Sequence, residues 1–331
     1  MIVSVVSMPD GVVARTSLSE ARERMAVSDC LMVDIELLEE TPPEEAQTVS
    51  DRLGLDSPQL AWFGRDGEPV RADFDGRIGG FVMPVVVDDD VVHVHVLLGD
   101  RYMITMHRGP VGLLQNFVAR LPHDRPTHLI ACVFLLLQGA LETFRRSAAQ
   151  GVLEVEDLED EMFERRRQQQ VYRLALLRRR ASLLHHELLP FVQAMLEVLA
   201  RRAVDSAVPE DRRALHRTYE RNMAQALAAI ESLQDATRRV MVTYSSLVGG
   251  EQNAVINRLT VVSTIFLPLT FITGFFGMNF TYLTNELTSE VVFWLLAVAL
   301  QVAILFAALY VVRHTQFWRE LRENPENEPS D

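Results

Sequence analysis

The chain has 331 residues, 45 acidic and 32 basic, for a net charge of -13 and an isoelectric point of about 5.2, a balance that excludes nucleic acid as a main partner. Every basic residue is arginine, and Cys30 and Cys132 are the only cysteines, with no CxxC or Cys/His zinc spacing; a reduced, cytosolic setting is expected. At this length the chain can bury a soluble core and still carry a membrane part.

In chain order, Met1-Ile2-Val3-Ser4-Val5 has no basic stretch followed by a long apolar one, so no leader peptide is predicted. Residues 1–125 read as a mixed α/β domain, with strands expected at Leu31–Ile35, Phe81–Val87, Val91–Leu98 and Tyr102–His107. Asp88-Asp89-Asp90 is expected to turn one strand into the next, and Gly64-Arg65-Asp66-Gly67 and Asp75-Gly76 mark further turns. Pro42-Pro43 ahead of Glu44-Glu45 reads as a helix start, since proline fits the first turn and acids match the dipole. Residues 126–250 change to long helices, with Leu174, Leu177, Ala181, Leu184 and Leu188 at three-and-four spacing and Pro190 and Pro209 as punctuation. Opposite charges from Glu154 to Glu164 and at Arg165-Arg166-Arg167 suit solvated helix faces. The last long helix is expected to start near Glu210 and reach Phe276, roughly 100 Å at 1.5 Å per residue, as a stalk leading to a membrane segment.

Leu259–Phe276 is 18 residues without a charge, and Val291–Val312 is 22. About 20 apolar residues span a hydrocarbon core of about 30 Å, so two transmembrane helices are predicted, at 251–276 and 291–312. Arg258 precedes the first and Arg313, His314 and Arg319 follow the second, whereas the loop 277–290 holds Glu286 and Glu290 but no arginine. The positive-inside rule then puts both termini in the cytoplasm and the loop outside a plasma or inner cell membrane. The tail, 313–331, ends in an acidic stretch expected to be disordered.

Along the first predicted span, Asn253, Ile256, Leu259, Ser263, Leu267, Thr270 and Gly274 recur at a mean spacing of 3.5, the period of a seam in a left-handed bundle. Phe266, Phe271, Phe275 and Phe276 fall off this line. The spacing alone fits either a polar axis between helices or close helix packing. If it lines an axis, it suits a hydrated dication such as Mg2+: Mg2+ gives up water reluctantly, and a ring of uncharged Asn279 amides can accept hydrogen bonds from the ion's own waters without trapping it. Gly277 lets the backbone turn and leaves its carbonyl open to the same waters. Apolar rings of Ile256, Leu259 and Leu267 can gate by dewetting, Ser263 and Thr270 offer hydroxyls, and Asn253 forms a polar ring at the inner mouth. Pro268 and Gly274 are candidate hinges or a fixed kink. No Walker-type phosphate loop and no nucleophile–base set stand out, so neither an ATP-driven step nor an enzyme is expected.

The stretch Leu259 to Phe280, with Pro268-Leu269-Thr270-Phe271 ahead of Gly277-Met278-Asn279, resembles the first transmembrane helix of the CorA family of divalent-cation channels. Leu98 to Arg108 is similar to a cytosolic strand pair of that family. The resemblance implies an α/β cytosolic domain, long helices and two C-terminal transmembrane helices per subunit. It implies a funnel-shaped homopentamer in the lipid bilayer that carries Mg2+, and often Co2+ or Ni2+, inward without a resident cofactor. It also implies ion selectivity at Gly277, Met278 and Asn279, with the hydrated ion met by Asn279, and pore-facing places for Asn253, Ile256, Leu259, Leu267, Thr270 and Gly274.

The chain departs from the family pattern in places. Its outer loop reads Tyr282-Leu283-Thr284-Asn285-Glu286-Leu287, which leaves Glu286 and Glu290 to attract cations. Where members carry regulatory aspartates, this chain has Thr218 and the neighbourhood of Trp62 or Phe63, so feedback by intracellular Mg2+ through carboxylates there is not expected; Asp88–Asp90 or Glu154–Glu164 are substitutes only if they are not simply solvated. Two alternatives stay open: the zinc-transporting branch of the same superfamily, and a membrane-anchored sensor or scaffold that conducts nothing. His93 and His95 share a strand face and His185-His186 diverge around a helix, each pair lacking a third zinc ligand nearby in sequence.

Overall fold

The computed structural model describes residues 1–314 except 29, 39, 56–59, 66, 76–77, 165–166, 204–209 and 279–288. The chain divides into two compact units, Met1–Met241 and Val242–Asp331.

The described residues of the first unit form a seven-stranded sheet. Its strands are β1 (Ile2–Ser7), β2 (Val12–Thr16), β3 (Leu31–Leu37), β4 (Ala72–Asp75), β5 (Ile78–Val87), β6 (Asp90–Leu98) and β7 (Tyr102–Arg108), in the order β2-β1-β3-β7-β6-β5-β4. Only β3 and β7 pair in parallel, with Leu31 opposite Tyr102 and Leu37 opposite Arg108; the other neighbours are antiparallel. The four strands expected from sequence are present, each within three residues of its expected ends. Asp88 has a left-handed φ of 54° in the two-residue turn between Val87 and Asp90, a conformation aspartate tolerates better than most residues. β1, β2 and β4 were not expected: β2 leaves Val12 and Val13 exposed at the sheet edge, and two of the four residues of β4 are aspartates, which strands disfavour.

Both faces of the sheet are covered. Helices α1 (Leu18–Val27), α2 (Pro43–Gln47) and α3 (Val49–Leu53) close one face over Val33, Ile35, Val82, Leu97, Ile104 and Met106. The Ser17 side chain caps α1 by accepting from Glu20 N, and Pro43 opens α2 ahead of Glu44 and Glu45 as expected. Trp62 and Phe63 belong to this core, both at most 2% exposed. By strand alternation Phe81, Met83, Val85, Val94, Val96 and Met103 turn to the other face, where α4 (Gly112–Asp124) and α5 (Leu129–Glu164) follow β7 in the chain. The Thr143 hydroxyl of α5 accepts from Val86 N at 3.1 Å, and Phe144 beside it is fully buried.

The long helices of the unit are α5, α6 (Gln168–Ala203) and the first part of α7 (Glu210–Phe276). Leu174, Leu177, Ala181, Leu184 and Leu188 are all buried, so the periodic stripe on α6 is its core face. One expectation is corrected: Pro190 does not punctuate, because α6 runs through it. Proline removes one hydrogen bond, to His186 O, while Leu188, Phe191, Val192 and Met195 stay buried on either side and hold the helix against its neighbours. Pro209 lies outside the described residues. α5 and α7 approach closely at Gly151, where an added Cβ would stand 2.9 Å from a Leu233 methyl.

In the second unit α7 continues without a break through Pro268 to Phe276, as expected. A later helical run begins at Glu290–Val292, passes through a π-helical stretch at Phe293–Ala299 and continues as α8 (Leu300–His314). The expected disordered tail lies outside the described residues.

Candidate functional site

The candidate site is the outer part of α7. All seven stripe residues, Asn253, Ile256, Leu259, Ser263, Leu267, Thr270 and Gly274, are exposed in the single chain. Ile256 is 58%, Leu259 65% and Leu267 76% exposed, which leaves three large apolar side chains in register with no cover from their own subunit. The half-buried positions of the same segment include Ala254, Asn257, Val261, Ile265, Pro268 and Ile272. At 3.6 residues per turn these six cluster on the opposite side of the helix from the stripe. The helix therefore has one half-buried face and an opposite, exposed face that holds the amide, hydroxyls and glycine. An added Cβ at Gly274 would meet nothing within 4 Å, so this glycine is not required by packing within the chain.

The threonine hydroxyls have a consistent geometry. Thr260, Thr264, Thr270 and Thr273 each donate to the carbonyl four residues back, at 2.8–2.9 Å. For Thr270 this uses the only proton of the side chain on Phe266 O and leaves the oxygen lone pairs as acceptors on the exposed face. An acceptor with no free proton suits the waters of a cation, which present hydrogen outward.

At the outer end, Gly277 N donates to Thr273 O at 3.0 Å and Met278 N to Phe275 O at 3.3 Å, so the backbone leaves the helix at the glycine. Met278 is 40% exposed. Asn279 and Glu286 lie outside the described residues, and Glu290 is exposed in the first turn of the next helical run. Among the described residues, one helix, within Arg213–Phe275, is long and apolar enough to cross a membrane, and Leu300–Tyr310 is a shorter apolar helix.

The charged groups of the first unit are engaged otherwise. Arg180, only 12% exposed, reaches Asp89 Oδ1 at 2.9 Å and Glu154 Oε1 at 3.6 Å and donates to Ser147 Oγ at 3.0 Å, which ties the β5–β6 turn to α5 and α6. Arg173 holds Glu161 at 3.1 Å. Asp89 of one acidic run and Glu154 and Glu161 of the other thus have arginine partners, and among the described residues no group of three or more His, Cys, Asp or Glu side chains is placed to hold a metal ion. Nothing in the run Arg178-Arg179-Arg180 marks the last arginine as the hub; its partners lie in β and helical segments far away in sequence. Thr218 is exposed, with Arg221 donating to its hydroxyl at 3.4 Å.

The histidines separate as well. His93 Nε2 is 2.9 Å from Glu187 Oε2 on α6, whereas His95 packs beside Trp62 and Phe63, with ring centroids 5.8 and 6.0 Å away, and accepts from Gly64 N. His107 is buried in β7, its Nδ1 2.6 Å from Gly109 O and its Nε2 3.3 Å from Asp34 Oδ1, an ion-pair distance without hydrogen-bond alignment. Burial works against its protonation, but Asp34, the Gly109 carbonyl and Glu36 together outweigh it and raise its pKa above the ordinary value.

Comparison with known proteins fits this geometry. The model of the family described as CorA-like Mg2+ transporter protein matches residues 35–314. The chain belongs to that family. It is 30% identical over 130 residues to the cobalt/magnesium transport protein CorA of Thermotoga maritima, a match that spans 39% of this chain and 36% of that protein. Against the cobalt/magnesium transport protein CorA of Methanocaldococcus jannaschii it is 23% identical over 325 residues, covering 95% of this chain and 99% of the relative. The complete structure of the CorA magnesium transporter from the same organism shares the fold, with a TM-score of 0.74 at 20% identity over 95% of this chain and 97% of that one. The ZntB cytoplasmic domain from Vibrio parahaemolyticus aligns with a TM-score of 0.55 at 10% identity over 75% of this chain and 98% of that domain.

Proposed function

We propose that this chain is the subunit of a homopentameric membrane channel that admits hydrated Mg2+, and with it Co2+ or Ni2+, down the membrane potential. The observation that carries the reading is the uncharged Asn/Ser/Thr/Gly stripe on a fully exposed face of α7, opposite the half-buried face of the same helix. A subunit that leaves Ile256, Leu259 and Leu267 uncovered needs copies of itself, or lipid, around that face. Lipid gives no reason to gather an amide, two hydroxyls and a glycine there; a shared central axis does.

In this reading the Asn279 amides, beside Gly277 and Met278, accept hydrogen bonds from the ion's hydration shell at the outer mouth, and Glu286 and Glu290 raise the local cation concentration. The ion then passes Gly274 and the Thr270 acceptors, crosses the apolar ring of Leu267, meets Ser263, and passes Leu259 and Ile256 before the Asn253 ring. The apolar rings close the path by drying. Both termini are cytoplasmic. A dication crossing the full field gains about 4.6 kcal/mol per 100 mV, so no nucleotide is required.

The test is flux. The protein is reconstituted in liposomes loaded with a Mg2+ indicator, and wild type is compared with Asn279→Ala under an inward-negative potential. Mg2+ entry in wild type, abolished or made unselective among divalent cations by the substitution, supports the assignment. Equal selective flux in both removes Asn279 from selectivity. Zinc entry without Mg2+ entry favours a zinc transporter, and no ion entry at all favours a non-conducting sensor.

A further inference from the structure

The helical run that begins at Glu290 carries an acid and an indole on one face. Glu290, Val291, Trp294, Leu295 and Ala299 together line a shallow hollow of about 430 Å³. The helix is wound as a π-helix over Phe293–Ala299. Hydrogen bonds there step five residues instead of four, which sets Trp294 and Ala299 one turn apart. Ala299 has only a methyl, so the space along the helix beyond the indole stays open. Val291 is 70%, Trp294 58% and Leu295 61% exposed, and Glu290 and Ala299 are exposed as well. Among the described lining residues Glu290 carries the only charge.

We propose that this hollow binds a phospholipid with a primary-ammonium headgroup, of the phosphatidylethanolamine kind, its ammonium held between the Glu290 carboxylate and the Trp294 ring and its acyl chain laid along Val291, Leu295 and Ala299. The inference rests on the membrane reading of the second unit given above. In that reading Glu290 stands at the polar end of the second span, and Trp294 lies one turn further in, at the level where indoles gather in membrane proteins. Leu295 and Ala299 continue into the hydrocarbon. The order along the helix is carboxylate, indole, aliphatic, which matches the order ammonium, boundary, chain in the lipid.

Charge selects the headgroup. A carboxylate at the membrane surface attracts a cation and repels an anionic head. An ethanolamine ammonium gives the carboxylate charge-assisted N–H donors, and the indole face attracts the same positive charge through its quadrupole. A choline head keeps the attraction to the ring but has no N–H to donate. A glycerol head brings only the negative charge of the phosphate. The expected order of affinity is therefore ethanolamine, then choline, then glycerol. Glu290 is also the last residue of the loop that carries Asn279, so a lipid held there anchors that end of the loop at the membrane surface.

The experiment uses the full-length protein in detergent, equilibrated with an equimolar mixture of phosphatidylethanolamine, phosphatidylcholine and phosphatidylglycerol of identical acyl chains, and reads the retained lipid by native mass spectrometry. Phosphatidylethanolamine should be retained roughly fivefold over phosphatidylglycerol, with phosphatidylcholine between them. Glu290→Gln should erase the preference over phosphatidylglycerol, and Trp294→Leu should weaken retention of both ammonium lipids. Tyr310→Leu, an exposed aromatic outside the hollow, should change neither. All three side chains are exposed, so none of these changes should unfold the chain. Equal retention of the three lipids, a preference for phosphatidylglycerol, or a preference unchanged in both Glu290→Gln and Trp294→Leu would overturn the proposal. Phosphatidylcholine held as well as phosphatidylethanolamine would overturn the choice of ethanolamine. Flotation with vesicles separates the two readings: a chain that stays in the dense fraction fails the membrane reading itself, whereas one that floats without lipid preference fails only this proposal.

Discussion

The two units of the chain hold their apolar residues in opposite ways. In Met1–Met241 the sheet and helices bury Ile35, Met83, Ile104 and Phe144 completely, and Arg173 and Arg180 pair with acidic groups of the same unit. In Val242–Asp331 residues of the same chemistry, among them Leu259, Phe266, Leu267 and Phe271, stand mostly exposed along a single helix. The first unit covers its own apolar residues; the second leaves them uncovered along α7. Hydrophobicity alone does not tell these cases apart. The distinction lies in whether the fold supplies a partner for each apolar face.

The sharpest way to probe that contrast is to make the same kind of cut in both units. Phe144→Ala should cost about 3–5 kcal/mol in chemical unfolding of the full chain in detergent, because it opens a cavity where nothing can collapse. Leu267→Ala, at 76% exposure, should leave that transition within about 0.5 kcal/mol and act on ion flux instead. A large loss of stability from Leu267→Ala in the isolated subunit would mean that the stripe has a partner within its own chain.

A smaller effect is expected from Arg180→Met, which leaves Asp89, Glu154 and Ser147 without their shared donor. We expect about 1–3 kcal/mol of destabilisation of the first unit, since Arg180 is largely buried while its carboxylate partners remain partly hydrated. Hydrogen exchange should quicken at the β5–β6 turn in that variant and stay unchanged in the second unit.

The gentlest perturbation is pH. His107 has a raised pKa in the folded state, so its charged form contributes stability that is fully present below the ordinary histidine value near 6.5 and is lost as pH rises through the folded value. The melting temperature of the first unit should therefore fall as pH climbs above about 6.5, and His107→Gln should flatten that slope. A slope of the opposite sign in wild type would place the proton elsewhere.

Much of this was legible in the sequence. The α6 stripe at Leu174, Leu177, Ala181, Leu184 and Leu188 announces a core face, and the uninterrupted run from Glu210 to Phe276 announces one helix, because helical period and absence of breakers are local properties. Pro190 misled because its cost is set by neighbours: buried side chains on both sides outweigh one lost hydrogen bond. β4 was hidden since two aspartates dominate its four residues and only pairing with β5 makes it a strand. The α7 stripe was readable as a spacing, but that spacing fitted helix packing as well as an axis. The exposure pattern, with Ala254, Val261, Ile265 and Ile272 on the covered side, is three-dimensional information that periodicity does not contain. The hub at Arg180 depends on chain reversal over long distances and left no local signal.

The central claim is that the stripe on α7 faces water shared by several subunits. It is tested most directly by single cysteines placed at Ser263, Ile265, Thr270 and Ile272 in a Cys30→Ser, Cys132→Ser background, with Mg2+ flux into liposomes measured before and after a charged, water-soluble thiosulfonate. The account predicts block of tenfold or more at Ser263 and Thr270 and unchanged flux at Ile265 and Ile272. Block at Ile265 and Ile272 with none at Ser263 and Thr270 would turn the helix around and contradict it.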